Sequence, residues 1–409
     1  MRPLLLSGFG INVIVSGRKL VIENHQTNEI SEFYPHQIPY DNVIIDGYYG
    51  LISFEALRWL SKHGIGITLL NWDGNLLSVT TPKEPIAGKL KIKQYKTYLD
   101  KEKRYTIAYK IIEQKIGKSY ELLSLLSNFY NSINMKEMKA IFDNELRNFD
   151  NNSKRISLSD NENIKERIRN VMSYEGRIAD YYWKTLSKVF NRLYPEFPFK
   201  RRNNSLDSHN RNASDYINAL LNYGYAILES VIRRDINVIG PDPDIGFLHE
   251  IATSKQPLVY DLQELYRWLI DLSVIQLLED KKLRKSDFIV TENYHLRLRE
   301  SGIKYLVEKI ASNMNKLALY RGKRYTFDTI LLNNVRNLAK CIEKDENNVS
   351  FEVPKIESYR NDKFELRNRI MSITPEERKK LGINKSTLWY QQKAIKENRK
   401  IKVYNKVQK

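Results

Sequence analysis

Glu175 is the first residue whose setting could support chemistry. It lies in a predicted helix over residues 160–190, on a face shared with apolar side chains such as Ile178. A carboxylate in such surroundings is unfavourable unless something compensates its charge. A metal ion, a raised pKa, or an internal ion pair with Arg177 or Arg234 would each do so. The helix alone leaves these alternatives open.

A histidine and two acids follow one another farther along the chain. Residues 240–250 hold two glycines and two prolines, which predicts a shaped loop that delivers His249 to a fixed place. A helix is predicted to begin at Pro257, and its Asp261 and Glu264 lie three residues apart on one face. We expect this face to be partly buried at the border of a cleft. A lone histidine is more often structural, and a lone acid is more often solvated.

Carboxylates with one imidazole form a site for a hard divalent cation. Oxygen ligands suit Mg²⁺, and an added nitrogen ligand favours Mn²⁺. On a basic protein the obvious substrate is a phosphodiester, and the cation would stabilise the charge of its transition state. The chain contains no Walker loop, nucleophile elbow or zinc motif. Asp271, farther along the same predicted helix, is expected to be a plain surface charge.

The composition agrees with a nucleic-acid partner. Lys and Arg number 67 against 49 Asp and Glu, a formal net charge of +18. Such a surplus usually reflects a polyanionic partner such as DNA, rather than solubility alone. The single cysteine, Cys341, excludes an intramolecular disulfide and a thiolate zinc site. No stretch reaches the roughly 18 apolar residues of a membrane span, so we expect a cytoplasmic protein without a membrane partner.

The elements that must position these residues fall into three predicted domains of an α+β multi-domain protein. Residues 1–85 are predicted to form a small β-rich N-terminal domain, 86–350 a large all-α catalytic domain, and 355–409 a basic helix-turn-helix extension. The first domain is predicted to contain a helix at residues 53–63 and strands at residues 4–6, 11–15, 19–23, 43–46 and 66–71.

The C-terminal extension concentrates positive charge and carries helix-cap signals. Residues 371–409 contain 11 Lys and Arg but only 3 Asp and Glu. Thr374 opens a capping box with Pro375 at the first helical position, and Gly382 should separate a short helix from a second one. This pattern predicts a helix-turn-helix with a strand-like wing near residues 400–404. Its predicted DNA-contacting side chains are Lys385, Ser386, Thr387, Gln391 and Lys393.

Four ordered motifs resemble those of the CRISPR-associated adaptation integrases, the Cas1 family. The motifs are Ile52-Ser-Phe-Glu-Ala-Leu, Tyr174-Glu175-Gly-Arg-Ile-Ala-Asp-Tyr-Tyr-Trp183, Asn218-Ala-Leu-Leu-Asn-Tyr-Gly-Tyr-Ala, and the loop and helix over residues 240–267. The resemblance covers about residues 1–345. It implies a β-rich N-terminal domain, a helical catalytic domain, and homodimers joined through the N-terminal domains.

The resemblance also implies roles for individual residues. Glu175, His249 and Glu264 would bind Mn²⁺ or Mg²⁺, with Asp261 close by as a further catalytic acid. The reaction would be integration, in which a 3′-hydroxyl of one DNA attacks a phosphodiester of another. The residues that would contact this DNA are Lys200, Arg201, Arg202, Arg211, Asn218 and Arg267. A merely solvated basic loop, and a helix-packing amide in the Asn218 motif, are the alternatives.

Two biological settings fit this chemistry. In CRISPR spacer acquisition, our first hypothesis, the family implies a small partner, Cas2, that bridges two dimers. A casposase, the related transposase of self-synthesising elements, would act on transposon ends without Cas2. Most family members lack a C-terminal extension, whereas casposases and some archaeal CRISPR members carry a similar one. A DNA-binding regulator with inert acids is the alternative from a different class.

Overall fold

The computed structural model describes the chain except for residues 48, 72–73, 83–86, 157–163, 203–212, 214, 254, 291–295, 356–369, 371–372, 381 and 397–409. It divides into two compact units, Met1–Lys355 and Ile356–Lys409. The predicted N-terminal and helical domains both belong to the first unit. In the described part of the chain, no helix is both long enough and apolar enough to cross a membrane.

The described N-terminal residues form eight strands and one helix, α1 (Phe54–Lys62). The strands are β1 (Pro3–Leu6), β2 (Phe9–Ser16), β3 (Lys19–Asn24), β4 (Glu29–Phe33), β5 (Asn42–Ile45), β6 (Tyr49–Ile52), β7 (Gly66–Leu70) and β8 (Leu76–Thr80). They build two sheets with the orders β1-β5-β7-β8 and β4-β3-β2-β6. Buried side chains of both sheets and of α1, among them Leu20, Val43 and Leu60, form one hydrophobic cluster.

The five strands and the helix predicted for this region are confirmed. Ser53 caps α1 by accepting a hydrogen bond from the Ala56 backbone N–H at 3.1 Å. Three strands, β4, β6 and β8, were not predicted. Each of them is an edge strand whose side chains are mostly exposed, so the alternation that marks a half-buried strand is absent.

Helices dominate the rest of the first unit. They are α2 (Gly88–Leu99), α3 (Lys101–Ser127), α4 (Met135–Ile156), α5 (Ile164–Leu193), α6 (Tyr216–Ile239), α7 (Pro257–Glu264), α8 (Arg267–Glu279), α9 (Glu300–Met314) and α10 (Phe327–Lys344). Helices α6 and α8 are buried along most of their length, because their sequences are apolar on nearly every face. The helices α3, α5, α7, α9 and α10 pack around this pair.

Among the described residues of this region, two short antiparallel hairpins interrupt the helices, so the region is mainly but not wholly α-helical. One hairpin pairs β9 (Phe288–Val290) with β10 (Leu296–Leu298), and the other pairs β11 (Leu317–Tyr320) with β12 (Lys323–Thr326). The strands of these hairpins are only three or four residues long, and strands of that length give little periodic signal in a sequence.

The helix predicted to begin at Pro257 does begin there, but it is shorter than expected. Helix α7 ends at Glu264, and Tyr266 leaves the helical backbone region with φ −125° and ψ 1° before α8 starts at Arg267. The apolar spacing that suggested one continuous helix is thus shared between two helices. Because of this break, Glu264 lies at the very end of α7.

The second unit contains two described helices, α11 (Pro375–Lys380) and α12 (Lys385–Lys396). The predicted capping box is confirmed. Thr374 N donates to Glu377 Oε2 at 3.0 Å, and Glu377 N donates to Thr374 Oγ1 at 3.2 Å. Gly382 has φ +61°, a left-handed conformation that glycine adopts without strain between the helices. The proposed wing at residues 400–404 lies outside the described residues.

Candidate active site

Glu175 and Glu264 face each other where three helices meet. Glu175 lies in the first half of α5, and Glu264 is the last residue of α7. Between them stands Lys115 of α3, whose Nζ lies 2.7 Å from Glu175 Oε1 and 2.7 Å from Glu264 Oε2. The side chains of Glu264, Glu175 and Lys115 are 7%, 15% and 21% exposed. The cluster is therefore largely, but not completely, withdrawn from solvent.

The positive charges around Glu264 keep its carboxyl group ionised. Burial by itself raises the pKa of this carboxyl, but Arg267 and Lys115 outweigh burial and lower the pKa to about 2. Arg267 Nε lies 3.5 Å from Glu264 Oε1. Burial lowers the pKa of the Lys115 ammonium, whereas Glu264 and Glu175 raise it, and the net shift is upward. The site is thus a pair of carboxylates around a cation.

The partner of Glu175 is neither of the two arginines that the sequence suggested. Arg177 Nε donates instead to Glu145 Oε2 at 2.8 Å, and Arg234 forms ion pairs with two aspartates elsewhere. Lys115 was missed because it is remote in sequence and belongs to none of the motifs. One signal was available, since Lys115 interrupts an apolar face of α3 in the way that Glu175 interrupts one of α5.

Asp261 and His249 form a second pair beside this cluster. Asp261 is fully buried, and its carboxylate accepts hydrogen bonds from the backbone N–H groups of Phe247, Leu248 and His249 at 2.5, 3.0 and 3.0 Å. His249 Nδ1 lies 2.7 Å from Asp261 Oδ1. Donation from Nδ1 to this carboxylate leaves Nε2 as the nitrogen with a free lone pair. Asp261 therefore orients His249, and it is more deeply buried than the cleft border where we expected it.

The loop that carries His249 needs a glycine at position 246. A Cβ on Gly246 would lie 2.6 Å from Pro257 Cβ, 2.8 Å from its carbonyl carbon and 2.9 Å from Asp261 Oδ2. Contacts that short do not occur in proteins, so a larger residue would push the loop away from the start of α7. Close approach at Gly246 thus brings the loop N–H groups to Asp261. The prediction of a shaped loop that fixes His249 is consistent with this arrangement.

Two of the three predicted metal ligands meet, and the third lies nearby. Glu175 and Glu264 line a cavity of about 50 Å³ that His249 does not line, although His249 interacts electrostatically with Glu264. No three His, Cys, Asp or Glu side chains form a ready metal site in the part of the chain that the structure describes. The two carboxylates nevertheless fit a divalent cation, because they already hold the charge of Lys115 between their oxygens. Bound water commonly completes the shell of Mg²⁺.

Asp271 is buried next to the cluster, so the prediction that it is a surface charge is wrong. It is 2% exposed, and its carboxylate accepts hydrogen bonds from Tyr182 at 2.6 Å and Tyr225 at 2.5 Å. Burial raises the pKa of Asp271, although both hydroxyls lower it. The Tyr225 ring in turn lies 4.7 Å from the guanidinium carbon of Arg267. Asp271 thus holds the Tyr225 ring against which the Arg267 guanidinium packs.

The predicted basic loop divides into exposed and buried residues. Lys200 and Arg201 are exposed, as a DNA-contacting loop requires. Arg202 turns inward, where its guanidinium donates to the side-chain oxygens of Asn218 and Asn222 and burial lowers its pKa. Asn218 is 3% exposed, so the alternative of a helix-packing amide describes it. Arg211 lies outside the described residues.

In the second unit, most of the predicted DNA-contacting residues lie on the exposed face of α12. Lys385, Ser386 and Lys393 are exposed and Thr387 is half-buried. Gln391 is only 6% exposed and faces the interior of the unit. Two aromatic residues take its place on the surface, because Trp389 is 53% and Tyr390 67% exposed. Lys393 Nζ lies 4.9 Å from the ring centroid of Trp389.

Comparison with known proteins shows the family to which this architecture belongs. A family model described as CRISPR associated protein Cas1 matches residues 4–312. The match spans most of the chain and includes Glu175, His249, Asp261 and Glu264. The chain therefore belongs to the Cas1 family, and its α+β fold, with a β-rich N-terminal region and a helical body, is the one that the motifs implied.

Curated relatives agree with the family model. The CRISPR-associated endonuclease Cas1 1 of Archaeoglobus fulgidus is 24% identical over 341 residues, covering 82% of this chain and 95% of the relative. The protein of the same name from Francisella tularensis subsp. novicida is 27% identical over 346 residues, covering 83% and 95%. These relatives align over nearly their whole length, and about a sixth of this chain has no counterpart in them.

A casposase bound to its integration product resembles the chain over a longer stretch. The two share 36% identity and a TM-score of 0.76, with 91% of this chain and 99% of the casposase covered. Because Met1–Lys355 makes up less than 91% of the chain, the match includes part of the second unit. A Cas1 protein from Thermotoga maritima has the same fold at 17% identity and a TM-score of 0.65, covering 86% of this chain and all of that protein.

Proposed function

We propose that this protein is a divalent-metal-dependent DNA integrase that joins a 3′-hydroxyl DNA end to a target phosphodiester by transesterification. The new P–O bond replaces the target P–O3′ bond, and the target strand leaves with a free 3′-hydroxyl. The observation that carries the proposal is the pair of carboxylates, Glu175 and Glu264, that encloses the Lys115 ammonium at 2.7 Å from each. The pair lies beside a histidine whose tautomer Asp261 fixes. Membership of the Cas1 family, whose curated relatives are named endonucleases, supports the same activity.

Each residue of the site has a separate task in this proposal. Glu175 and Glu264 would hold Mn²⁺ or Mg²⁺, and His249 would contribute Nε2 while Asp261 holds its Nδ1 proton. The ion would supply Lewis-acid stabilisation of the charge that develops on the phosphodiester. Arg267, whose side chain is 35% exposed beside Glu264, would bind a phosphate oxygen and orient the backbone for attack.

Strand transfer by the purified full chain tests this proposal. A duplex oligonucleotide with free 3′-hydroxyl ends is incubated with supercoiled plasmid and Mn²⁺, and the joined product is measured. We expect Glu264→Gln and Glu175→Gln each to reduce joining roughly 100-fold or more, because loss of a carboxylate removes a metal ligand. The matched control is Asp180→Asn on the same helix, since Asp180 is 64% exposed and, among the described ion pairs, pairs only with Lys184, which is 71% exposed.

The outcome also separates an enzyme from a DNA-binding regulator. A regulator would bind the DNA but join no ends, and the glutamate variants would behave as the wild-type protein does. Joining that is lost in both glutamate variants and kept in Asp180→Asn supports the integrase. Equal joining by Glu264→Gln and wild type would refute the assignment of the site.

For the biological setting, transposon-end integration of the casposase kind is the better-supported candidate. Its support is the casposase match, which extends beyond Lys355 into the second unit. The exposed α12 face, defined by Lys385, Trp389, Tyr390 and Lys393, would grip the element ends as the recognition helix of a helix-turn-helix. Lys200 and Arg201 would contact the DNA backbone near the active site.

Substitutions in α12 test the transposon-end assignment in the full chain. Trp389→Ala with Lys393→Ala should remove the preference for the terminal sequences of the element that encodes the protein. Joining of unrelated DNA ends should persist, because the catalytic residues lie in the other unit. If preference for the element ends survives the double change, α12 does not read them.

CRISPR spacer acquisition is the second candidate, favoured by the curated Cas1 relatives. A Cas6-RT-Cas1–Cas2 complex also shares the fold, at 18% identity and a TM-score of 0.64, over 86% of this chain and 36% of that chain. In this setting the protein would act with a Cas2 partner. Integration into a CRISPR repeat that requires added Cas2, together with a CRISPR array beside the gene, would favour this candidate over the casposase.

A homodimer joined through the N-terminal sheets completes the proposal. Strand β6 is an unpaired sheet edge, and it carries exposed apolar side chains together with its neighbours: Phe9, Tyr49, Leu51 and Phe54 are 57–76% exposed. Clustered exposed apolar residues commonly mark an interface. Leu51→Glu should therefore convert a dimer to a monomer in light scattering, and a wild-type protein that is itself monomeric would refute this interface.

A further inference from the structure

The position between Glu175 and Glu264 can hold only one cation at a time. Lys115 Nζ lies 2.7 Å from a carboxylate oxygen of each, so these two oxygens are no more than twice that distance apart. Oxygen ligands of Mg²⁺ lie about 2.0–2.1 Å from the ion, so a small inward movement of the two carboxylates would suit a metal. The ammonium and a divalent ion would then need the same space.

Lys115 is suited to occupy this position in the absence of a metal. Two ionised carboxylates that face each other in a largely buried site repel one another unless a cation lies between them. Lys115 supplies this charge from a third helix, α3, so its contacts also hold α3, α5 and α7 together. A buried ion pair of this kind costs stability when one partner alone is removed.

Lys115 also has a route out of the site. Its side chain is 21% exposed, three times the exposure of Glu264, and an ammonium on a four-carbon chain has many accessible rotamers. Arg267 would remain beside Glu264 after the ammonium had left, because it contacts the other oxygen of that carboxylate. The position between the carboxylates can therefore exchange its cation without dismantling the surrounding helices.

We infer that Lys115 is an exchangeable counter-ion of the active site, which stabilises the metal-free protein and is displaced when the divalent ion binds. The inference rests on the proposed metal-dependent function of the same two glutamates. It makes metal binding a competition, in which the ion must first separate Lys115 from Glu175 and Glu264. The metal affinity of the wild-type protein is then weaker than the carboxylates alone would give, and the metal-free protein is more stable.

Metal binding and thermal unfolding of full-length variants, without DNA, test this inference. Lys115→Met keeps most of the side-chain volume and removes the charge. We expect it to unfold at a lower temperature than wild type in chelator, and to bind Mn²⁺ roughly ten-fold more tightly or better, which corresponds to about 1.4 kcal/mol. Free Mn²⁺ is measured by electron paramagnetic resonance. The matched control is Lys110→Met on α3, since Lys110 pairs with Glu113 at the surface.

A second substitution shows whether the gain in affinity arises at this site. Adding Glu175→Gln to Lys115→Met should abolish the gain, because only one charged carboxylate then remains for the ion. Conversely, Mn²⁺ affinity that is unchanged or weaker in Lys115→Met would overturn the inference, and so would an equal gain in Lys110→Met.

The outcome is distinguishable from failure of the proposed function. If Lys115→Met binds Mn²⁺ more tightly but neither protein joins DNA ends, the exchange is supported and the integrase assignment is refuted. If wild type joins DNA ends and Lys115→Met shows no gain in affinity, the integrase assignment stands and the exchange is refuted. If neither protein binds Mn²⁺, the counter-ion role and the metal-dependent mechanism both fail.

Discussion

Asp261 and Glu264 lie three residues apart on the same short helix, yet the protein stabilises their charges in different ways. Asp261 accepts three backbone N–H hydrogen bonds and faces His249 Nδ1 at 2.7 Å. Glu264 is compensated by side-chain cations, with Lys115 at 2.7 Å and Arg267 at 3.5 Å. Backbone donors cannot leave without unfolding the loop, whereas a lysine side chain can rotate away.

This difference separates a carboxylate that builds the site from one that acts in it. The hydrogen bonds of Asp261 hold the loop of residues 246–249 against α7 and fix one histidine nitrogen. The cations around Glu264 lower its pKa to about 2. They keep the carboxylate charged while its oxygens can still bind another cation. Substitution of a carboxylate held by backbone N–H groups is expected to lower mainly the stability of the protein. Substitution of a carboxylate held by side-chain cations is expected to lower mainly its activity.

Among the substitutions that test this contrast, Asp261→Asn should have the largest effect on the free energy of unfolding. The amide NH₂ of asparagine cannot accept a hydrogen bond, so one of two pairs of donors loses its acceptor: the backbone N–H groups of Phe247 and Leu248, or the backbone N–H and Nδ1–H of His249. Unpaired buried donors cost about 1–3 kcal/mol each, and we expect the free energy of unfolding in urea to fall by about 3 kcal/mol. Glu264→Gln should lower it by about 1 kcal/mol or less, because Lys115 keeps Glu175 as its partner.

The surface acid Asp244, in the same loop, provides the matched control for this pair. Asp244 is exposed, so Asp244→Asn should leave the free energy of unfolding within about 0.5 kcal/mol of wild type. If Glu264→Gln destabilised the protein as much as Asp261→Asn does, the contrast between a structural role for Asp261 and a chemical role for Glu264 would be refuted.

Gly246→Ala examines the same loop through its packing. The added Cβ would meet Pro257 Cβ at 2.6 Å and Asp261 Oδ2 at 2.9 Å, so the loop must move away from α7. Overpacking of this kind costs about 1–3 kcal/mol, and we expect about 2 kcal/mol in urea unfolding. Strand transfer should fall as well, because the shift carries His249 with it.

Gly176 offers a control of the opposite sign. It lies next to Glu175 in α5, and among the described residues a Cβ there would meet no heavy atom within 4 Å beyond its own turn of the helix. Gly176→Ala should therefore stabilise the helix, by up to about 1 kcal/mol. If Gly176→Ala and Gly246→Ala destabilised the protein equally, the effect of Gly246→Ala could not be assigned to the close approach of Gly246 to Pro257 and Asp261.

Sequence reasoning identified the acids and the histidine because each interrupts a local pattern. Glu175 interrupts an apolar helix face, and the Pro- and Gly-rich segment before His249 marks a loop of fixed shape. Asp271 was misjudged because the apolar spacing continued past Glu264. The break at Leu265–Tyr266 starts a new helix, which turns Asp271 inward beneath two tyrosine hydroxyls.

The residues that sequence reasoning missed depend on contacts between distant segments. Lys115 meets Glu175 and Glu264 only after α3, α5 and α7 have packed together, and no local spacing records that meeting. Arg202 belongs to a basic run that reads as a surface loop, yet two asparagine side chains of α6 accept its guanidinium hydrogen bonds. A charged run in a sequence does not say which of its members will find buried partners.

Asp46 is partly buried and represents a third case, because its carboxyl group binds a proton more readily than a free aspartate does. Burial raises the pKa of Asp46 from 3.8 to about 6, although Tyr223 and Arg297 lower it and Glu300 adds to the rise. A folded-state pKa above the unfolded value stabilises the protein most fully below pH 3.8, and that contribution is lost as the pH rises through about 6. For Glu264, whose folded pKa is lowered, the dependence has the opposite sign.

Asp46→Asn isolates the contribution of Asp46 to the pH dependence of stability, which is the smallest of the expected effects. Asparagine resembles the protonated acid, so the variant should lack the loss of stability that Asp46 causes as the pH rises from about 4 to about 7. Because Asp46 is partly exposed, we expect the variant to gain about 1 kcal/mol relative to wild type over this range. Urea unfolding of both proteins at several pH values measures the difference, in which the other titrating groups cancel. A constant difference across the range would mean that Asp46 stays ionised, so that its partners resemble those of Glu264 after all.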